Sequence, residues 1–352
     1  MLVLLSLGWG MSWPMMRVAL DEVPPFSMRV ATMAIGAVTL GVLTAARRRG
    51  FALHSRVSVA HVVVAGLFNI VSFSILTPFA QLYAATSRVS IVVYSMPIWA
   101  TLMARVVLRE RITGTRAVAF ALCVAGLVVL IYPLAVAGIP AGILLALGAA
   151  IGWAAGTIYL KWAQIREEPM AVTFWQLIVG FAVIAVCQPV FEGPLHLWPI
   201  RATTLGSLLF AGLIGSGIAY FLWFEVVRRL SAMTASLGVL SAPAVGVVSS
   251  VVLLGERPTL SDIVGFALMQ GALQAGRGVV VVPIFSTLSN VVPIIGGILL
   301  YGEWAQEHGA AAVLRTLAFV LAIGGAAVLA GCSEQQAASA AATRQLEEAK
   351  SR

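Results

Sequence analysis

Two segments of this chain, 97–110 and 243–256, share one pattern: a proline, an apolar helical stretch and a terminal glutamate. In both segments the proline precedes the glutamate by 13 positions (110 − 97 and 256 − 243). The two copies lie 146 positions apart (243 − 97). A shared spacing of this kind predicts that one helical unit has been duplicated within the chain.

Two further matches keep nearly the same offset. Trp153 repeats Trp9 after 144 positions, each preceded by a glycine, and Pro169 repeats Pro25 after 144 positions. Anchor points spread over most of the chain favour a true duplication over a coincidence of composition.

The chain is too apolar for a soluble protein. Hydrophobic residues make up 60% of it and charged residues 10%, with a mean hydropathy of +0.99. A soluble domain carries roughly 25% charged residues. Because the apolar residues form continuous blocks rather than alternating with polar ones, the sequence predicts an all-α polytopic membrane protein and not a β-barrel.

Crossing the hydrocarbon core takes about 20 apolar residues in a helix. The chain offers such blocks near 1–20, 26–46, 57–82, 89–108, 115–132, 141–162, 170–190, 204–226, 232–254, 260–276, 278–301 and 312–331. We therefore expect ten to twelve transmembrane helices. The predicted units are two five-helix repeats, 1–133 and 140–276, an extra apolar helical pair, 278–331, and a polar tail, 332–352.

The basic residues predict the orientation, since Lys and Arg collect on the cytoplasmic side of a membrane. With a cytoplasmic N-terminus, twelve of those flanking the first ten helices lie inside and five lie outside. The inside set is Arg47, Arg48, Arg49, Arg56, Arg105, Arg109, Arg111, Arg116, Lys161, Arg166, Arg228 and Arg229, and the outside set is Arg17, Arg29, Arg88, Arg201 and Arg257. The repeated loops at Glu110 and Glu256 then lie on opposite faces, so we expect an inverted repeat of five plus five helices.

Charge and cysteine placement exclude two other classes. The net charge of +8 comes from short basic clusters between apolar blocks, which is a topology signal and not a nucleic-acid-binding surface. Cys123, Cys187 and Cys332 lie far apart, so neither a disulfide framework nor a metal site is expected.

The chain resembles the EamA-type, ten-helix members of the drug/metabolite transporter superfamily over roughly residues 1–275. The resemblance rests on Gly8-Trp9-Gly10-Met11-Ser12-Trp13, Pro24-Pro25-Phe26-Ser27-Met28-Arg29, Gly152-Trp153, Gly217-Ile218-Ala219-Tyr220-Phe221-Leu222-Trp223 and the two proline-to-glutamate segments. It implies export or exchange of small metabolites, amino acids or drugs across a bacterial inner membrane without ATP hydrolysis. An inverted repeat commonly serves alternating access around a site near the bilayer midplane.

The C-terminal part departs from that pattern. The block after Gly278 ends in Gly302-Glu303, a third copy of the helix-ending pair, but its Pro293 stands only 10 positions before the glutamate. The pair at 278–331 is either two true membrane spans or the join of a fused or misassembled reading frame.

Polar and aromatic residues inside apolar blocks are the candidates for lining a solute path, because an unpaired polar group in lipid is costly. The candidates are Trp9, Trp13, Arg29, Asn69, Gln81, Tyr94, Trp153, Trp175, Tyr220 and Ser241. A lining of aromatic, amide and hydroxyl groups suits amphipathic or zwitterionic solutes. Anchoring at the membrane interface or helix packing would account for the same residues, and Arg29 either binds a carboxylate or snorkels.

The repeated prolines and glutamates have structural interpretations. Pro97 and Pro243 are candidate hinges, since a proline leaves the carbonyl four residues before it without a helical partner. Glu110 and Glu256 are expected to cap the helices that follow them.

No enzyme signature is present in the sequence: it holds no His-Glu-x-x-His, no Walker-type phosphate loop and no Gly-x-Ser-x-Gly. We therefore expect a carrier and no enzyme, with no cofactor and no metal, whose partners are a small-molecule solute and the lipid bilayer but not nucleic acid. Assembly as a homodimer stays open. The alternatives are a channel, or a membrane enzyme or lipid-carrier flipping component of envelope biogenesis.

Overall fold

The computed structural model describes residues 1–48, 50–109, 114–229 and 242–275. Within these ranges every regular element is a helix. Several of the sequence predictions fall outside them, namely those for Glu110, Ser241, the pair 278–331 and the tail 332–352.

The helices follow the apolar blocks closely. In the first half they are α1 (Leu2–Ala19), α2 (Pro25–Ala46), α3 (Arg56–Tyr83), α4 (Thr86–Val93), α5 (Met96–Val107) and α6 (Gly114–Ala137). In the second half they are α7 (Ala141–Ala163), α8 (Pro169–Phe191), α9 (202–229), α10 (Ala242–Leu254) and α11 (Leu260–Ala275).

Six helical stretches among the described residues are long and apolar enough to cross a membrane. They are Pro25–Ala46, Arg56–Tyr83, Thr86–Val107, Ala141–Ala163, Pro169–Phe191 and Ala202–Trp223. The shorter stretches Phe120–Leu134 and Ala242–Leu254 are also apolar. The described part of the chain is thus all-helical, as in a multi-pass membrane protein.

Two helices contain π-helical turns, at Leu67–Val71 in α3 and at Phe210–Ile218 in α9. A shift of 146 positions carries 67–71 onto 213–217, inside the second segment. A π-helical turn opens the usual i→i−4 ladder and is often found at functional sites. Each half of the chain therefore has its irregular turn in its third helical block.

The stretch 86–107 is interrupted at Tyr94 and Ser95, where α4 ends and α5 begins. Pro97 lies at the second position of α5, and Pro243 lies at the second position of α10. In the first turn of a helix the missing N–H of proline has no intrahelical acceptor to lose. The expected bend at Pro97 is therefore a break just before it.

Helix packing is matched between the halves. The chain offsets relate α1 to α7, α2 to α8, α3 to α9, α5 to α10 and α6 to α11. Helix α1 packs on α10 as α7 packs on α5, and α2 packs on the π-helical turn of α9 as α8 packs on that of α3. Helix α6 packs on its own counterpart, α11. Exchanging the halves leaves this set of neighbours unchanged.

Two glycines 144 positions apart show why the match is close. A Cβ at Gly36 would lie 2.5 Å from Cβ of Ser216, and a Cβ at Gly180 would lie 2.3 Å from Cγ2 of Ile70. Ser216 and Ile70 are themselves 146 positions apart, and each lies in a π-helical turn. Glycine thus allows α2 and α8 to approach the irregular turn of the opposite half.

The contact between α6 and α11 is equally close. A Cβ at Gly126 would lie 2.6 Å from the carbonyl oxygen of Gly265. Nearby, the Cys123 thiol donates to the carbonyl of Met269 over 3.6 Å, and these two residues are 146 positions apart. At this interface between α6 and α11, which we call the seam, Cys123 therefore contacts the residue that corresponds to it in the other half, Met269.

Candidate functional site

Aromatic side chains from five helical blocks meet inside the bundle. Trp13 lies with its ring centroid 6.2 Å from that of Phe73 and 6.4 Å from that of Tyr94. The ring of Phe73 lies 5.1 Å from that of Trp153. Helix α1 thereby contacts α3 and the break before α5, and α3 contacts α7.

One turn earlier on α1, Trp9 continues the same face. Its ring lies 5.9 Å from that of Tyr220 and 5.9 Å from that of Trp223. We call the seven residues the aromatic cluster: Trp9, Trp13, Phe73, Tyr94, Trp153, Tyr220 and Trp223. Of these only Trp13 is buried; the other six are half-buried.

Two members of this cluster, Phe73 and Trp223, are not among the residues predicted from the sequence to line a solute path. Phe73 lies four positions from both Asn69 and Thr77, two polar residues on the same face of α3. Helical spacing from those residues would have identified it. Trp223 lies three positions after Tyr220, so the same argument applies.

Arg29 on α2 lies beside the aromatic cluster and is held by α3. Its Nε donates to the carbonyl of Ser74 over 3.0 Å, and its Nη2 donates to Oγ1 of Thr77 over 2.5 Å. Taken as a whole, the Arg29 residue is half-buried.

Two buried amides on α3 each keep an acceptor without a partner. Nδ2 of Asn69 donates to Oε1 of Gln176 over 3.0 Å, and Nε2 of Gln81 donates to the carbonyl of Trp13 over 3.0 Å. The other oxygens, Oδ1 of Asn69 and Oε1 of Gln81, are buried and have no hydrogen-bond partner among the described residues. Polar groups in this state are where a solute or water would be held.

The remaining candidates lie elsewhere. Trp175 on α8 donates from Nε1 to the carbonyl of Phe51 over 2.7 Å and is 37% exposed, so it contacts the loop after α2 and not the aromatic cluster. Pro97 and Pro243 lie at the starts of α5 and α10. Ser241 is outside the described residues.

Carboxylates of one half bind the helix starts of the other. Glu22, between α1 and α2, accepts from the backbone N–H of Arg201 over 2.9 Å, from its Nε over 2.5 Å and from the hydroxyl of Thr204. We call these three residues the Glu22 clamp. The bonds from Thr204 and Arg201 lower the pKa of Glu22 to about 2.

The equivalent loop of the second half makes the same contact. Glu167, between α7 and α8, accepts from the backbone N–H of His54 over 3.0 Å, lies 2.7 Å from its Nδ1, and binds the hydroxyl of Ser58. We call these three residues the Glu167 clamp. The bonds from His54 and Ser58 lower the pKa of Glu167. The paired members are 145 to 147 positions apart (167 − 22, 201 − 54 and 204 − 58).

The prediction that Glu256 caps the helix after it is wrong. Its carboxylate accepts from the backbone N–H groups of Thr86 over 2.5 Å and Ser87 over 2.8 Å, at the start of α4. The following helix, α11, has its own capping box, in which Thr259 N–H donates to Asp262 and Asp262 N–H donates to Oγ1 of Thr259. Glu256 is therefore a long-range cap.

Two further contacts lie near these helix starts. Glu192 accepts from the backbone N–H groups of Phe26 over 2.7 Å and Ser27 over 2.8 Å, so it caps α2. Arg88 forms a two-bond ion pair with Asp262, over 2.8 and 2.7 Å. Anionic side chains favour helix N-termini because the free N–H groups and the helix dipole point at them. In the part of the chain that the structure describes, no three His, Cys, Asp or Glu side chains gather as metal ligands.

Comparison with known families gives two matches to the EamA-like transporter family, over residues 1–132 and 140–274. An uncharacterized transporter of Bacillus subtilis, YoaV, is 24% identical over 273 residues, which is 76% of this chain and 92% of the relative. A probable amino-acid metabolite efflux pump of Salmonella typhimurium is 25% identical over 290 residues, covering 77% of this chain and 91% of the relative.

Another relative is a probable terminal-alkyne amino-acid exporter of Streptantibioticus cattleyicolor. It is 23% identical over 267 residues, covering 76% of this chain and 89% of the relative. A protein of known crystal structure is 23% identical with a TM-score of 0.55, covering 78% of this chain and 98% of that structure. The likeness to that structure concerns the fold alone.

Proposed function

Since this chain belongs to the EamA-like transporter family of the drug/metabolite transporter superfamily, we propose that it exports or exchanges small organic metabolites, amino acids or drugs by alternating access. Relatives named as amino-acid metabolite efflux pumps support this substrate range. The family and several of its relatives are named as transporters, which supports transport over catalysis. The work of the protein is then to bind a solute between its halves and expose it to each face of the membrane in turn.

The proposed architecture is an inverted repeat of five plus five helices, over 1–133 and 140–276. The exchangeable set of helix neighbours supports it. An odd number of spans in the first repeat would turn the second repeat upside down in the membrane. The twelve-to-five bias of basic residues supports a cytoplasmic N-terminus in a bacterial inner membrane.

One observation carries the alternating-access proposal: each half presses a glycine of its second helix onto the π-helical turn of the other half's third helix. Two interfaces with the same construction can exchange roles. If the interface at one end opens while the other closes, the reverse movement gives the second state with the same contacts interchanged. In this proposal the two states, open to either face of the membrane, have equivalent contacts because the two halves are built alike.

The proposed solute path is lined by the candidates from the sequence together with Phe73 and Trp223. Trp9, Trp13, Tyr94, Trp153 and Tyr220 lie in the aromatic cluster. Arg29, Asn69 and Gln81 supply its polar groups, while Trp175 and Ser241 remain lining proposals without support from that geometry. The proposed hinges are Pro97 and Pro243, each at the start of a helix.

Reconstituted vesicles test the proposal. We expect saturable, counterflow-stimulated movement of at least one compound from a panel of amino acids, organic acids and drugs. Alanine in place of Trp9, Tyr94 or Tyr220 should lower the transport rate about tenfold or more, because each removes a large contact surface from the path. Trp162→Ala is the matched control, since Trp162 is 55% exposed and lies outside the aromatic cluster.

Three outcomes would contradict the proposal. Unchanged transport in all three alanine variants would remove the aromatic cluster from the path. Movement without saturation or counterflow would indicate a channel. Chemical conversion of a compound without its movement would indicate a membrane enzyme.

A further inference from the structure

The kink in α3 leaves a free acceptor inside the bundle. Pro78 lies within the helix and has no N–H, so the carbonyl of Ser74, four residues earlier, lacks its helical donor. An unpaired carbonyl in the low-dielectric interior of a membrane protein costs several kcal/mol in general. Something else must donate to it.

Arg29 is that donor. Its Nε lies 3.0 Å from the Ser74 carbonyl oxygen, and its Nη2 lies 2.5 Å from Oγ1 of Thr77. Thr77 uses its own hydroxyl proton on the carbonyl of Phe73, over 2.8 Å, so its oxygen is left to accept. One edge of the guanidinium fork is therefore fixed against the proline kink, and its plane cannot turn freely.

The other edge of the fork has no hydrogen-bond partner among the described residues. A guanidinium has five N–H donors in a fixed geometry, and two of them are used here, which leaves three (5 − 2) on the two Nη atoms. No Asp or Glu of the described residues forms an ion pair with Arg29. Arg29 differs in this from Arg88, Arg17 and Arg201, each of which binds an acid.

The surroundings define what the free edge can take. Arg29 bonds Thr77, whose hydroxyl in turn donates to the carbonyl of Phe73, and the ring of Phe73 lies against those of Trp13 and Trp153. A planar cation presenting paired N–H groups matches the two oxygens of a carboxylate. The adjoining aromatic faces suit an apolar or aromatic body attached to that carboxylate.

We propose that Arg29, fixed by the Pro78 kink, is the binding residue for the carboxylate of an amphipathic organic acid carried by this protein. This inference rests on the proposed transport function. It makes organic anions the preferred solutes over neutral amides and organic cations of the same shape. Pro78 then has a consequence beyond its own helix: it frees the carbonyl that orients the cation selecting the solute.

Three matched probes test the inference with the full-length protein in lipid nanodiscs and vesicles. They are phenylacetate, its neutral isostere phenylacetamide, and 2-phenylethylamine, which is cationic at neutral pH. Binding is followed by tryptophan fluorescence, which the clustered indoles make sensitive, and movement by uptake and counterflow. We expect phenylacetate to bind about 10- to 100-fold more tightly than phenylacetamide, the size of one or two charge-assisted hydrogen bonds.

The variant Arg29→Gln should abolish that preference while leaving phenylacetamide binding unchanged. Arg29→Lys should retain part of it, because an ammonium keeps the charge but loses the paired fork. Arg17→Gln is the control, since Arg17 is an arginine of the same end of the bundle that is already paired with Asp21. It should behave as the unmodified protein.

The outcomes separate this inference from the transport proposal. If Arg29→Gln weakens all three probes equally, Arg29 is only a strut between α2 and α3, and the inference fails. Movement of the amide and amine with no preference for the acid would also overturn it, while transport would stand. Arg29-dependent binding of phenylacetate without movement of any compound would keep the anion site and overturn transport. No binding of any probe would overturn the inference.

Discussion

The two halves of this protein share their packing but differ in the chemistry of their clamps. Glu22 and Glu167 occupy matching loops and bind the matching helix starts of the opposite half. The partner of Glu22 is the guanidinium of Arg201, whereas the partner of Glu167 is the imidazole of His54. A guanidinium presents a planar fork of donors to a carboxylate, which an imidazole lacks. The matching clamps of the two halves thus hold their carboxylates with different groups.

The largest expected change in stability comes from the glycine contacts that the two halves share. Gly36→Ala and Gly180→Ala should each lower the free energy of unfolding by about 1–3 kcal/mol, because the added methyl group overlaps Ser216 or Ile70. Thermal unfolding in detergent, followed by tryptophan fluorescence, measures this. If the halves are mechanically equivalent, the two losses should be similar.

Gly206→Ala is the control for that pair. Nothing lies within 4 Å of a Cβ built at Gly206, which also lies in a helix. Alanine there should be neutral or stabilise by up to about 1 kcal/mol through helix propensity. A loss at Gly206 as large as at Gly36 would show that the close approach to the π-helical turns is not the cause.

The Glu22 clamp predicts a dependence on acid pH. The pKa of the Glu22 carboxyl is lowered to about 2 from an ordinary 4.5, mostly by the bond from the Thr204 hydroxyl and further by the bonds from Arg201. A lowered pKa in the folded state gives stability that is complete above about pH 4.5 and is lost as pH falls toward 2. Glu22→Gln should therefore unfold at a lower temperature than the unmodified protein at pH 6, with a gap that narrows by pH 3.

Asp21→Asn is the matched control for Glu22→Gln. Asp21 is the neighbouring acid and pairs with Arg17 at the surface, where an ion pair contributes little. The inference about the clamp would be wrong if the gap for Glu22→Gln stayed constant from pH 6 to pH 3.

Exchanging the cations sharpens the comparison and gives the smallest effect. His54 is largely exposed, so solvent and salt screen its attraction to Glu167. His54→Arg should raise the thermal midpoint slightly at pH 7, because a guanidinium presents paired donors to Glu167, and Arg201→His should lower it slightly at the other clamp. A lower midpoint for His54→Arg, or a higher one for Arg201→His, would contradict the interpretation of the clamps.

The sequence predicted the helices well because about 20 consecutive apolar residues leave few alternatives in a membrane. The predicted block 57–82 corresponds to the helix Arg56–Tyr83, and the predicted block 170–190 corresponds to the helix Pro169–Phe191. The break at Tyr94 and Ser95 was not predicted, although Pro97 is a local signal for it, since proline favours the first turn of a helix.

The site was predictable where helical spacing alone decides it. Trp9 and Trp13 share one face of α1, and the structure brings both into the aromatic cluster. The roles of Glu256 and Glu22 could not be predicted, since their partners lie more than 160 positions away along the chain. Trp175 could not be separated from the cluster by sequence, because a tryptophan in an apolar helix has the same pattern whether it faces a loop or the interior.

The seam between α6 and α11 bears on how a chain of this kind could arise. Where Cys123 faces Met269, a residue meets its own equivalent, as it does across the two-fold axis of a homodimer. A chain of half the length could form the same seam with a second copy of itself. Joining the two copies into one polypeptide would make that association independent of concentration and would free each copy to change separately. Only after such a joining could one copy carry His54 where the other carries Arg201.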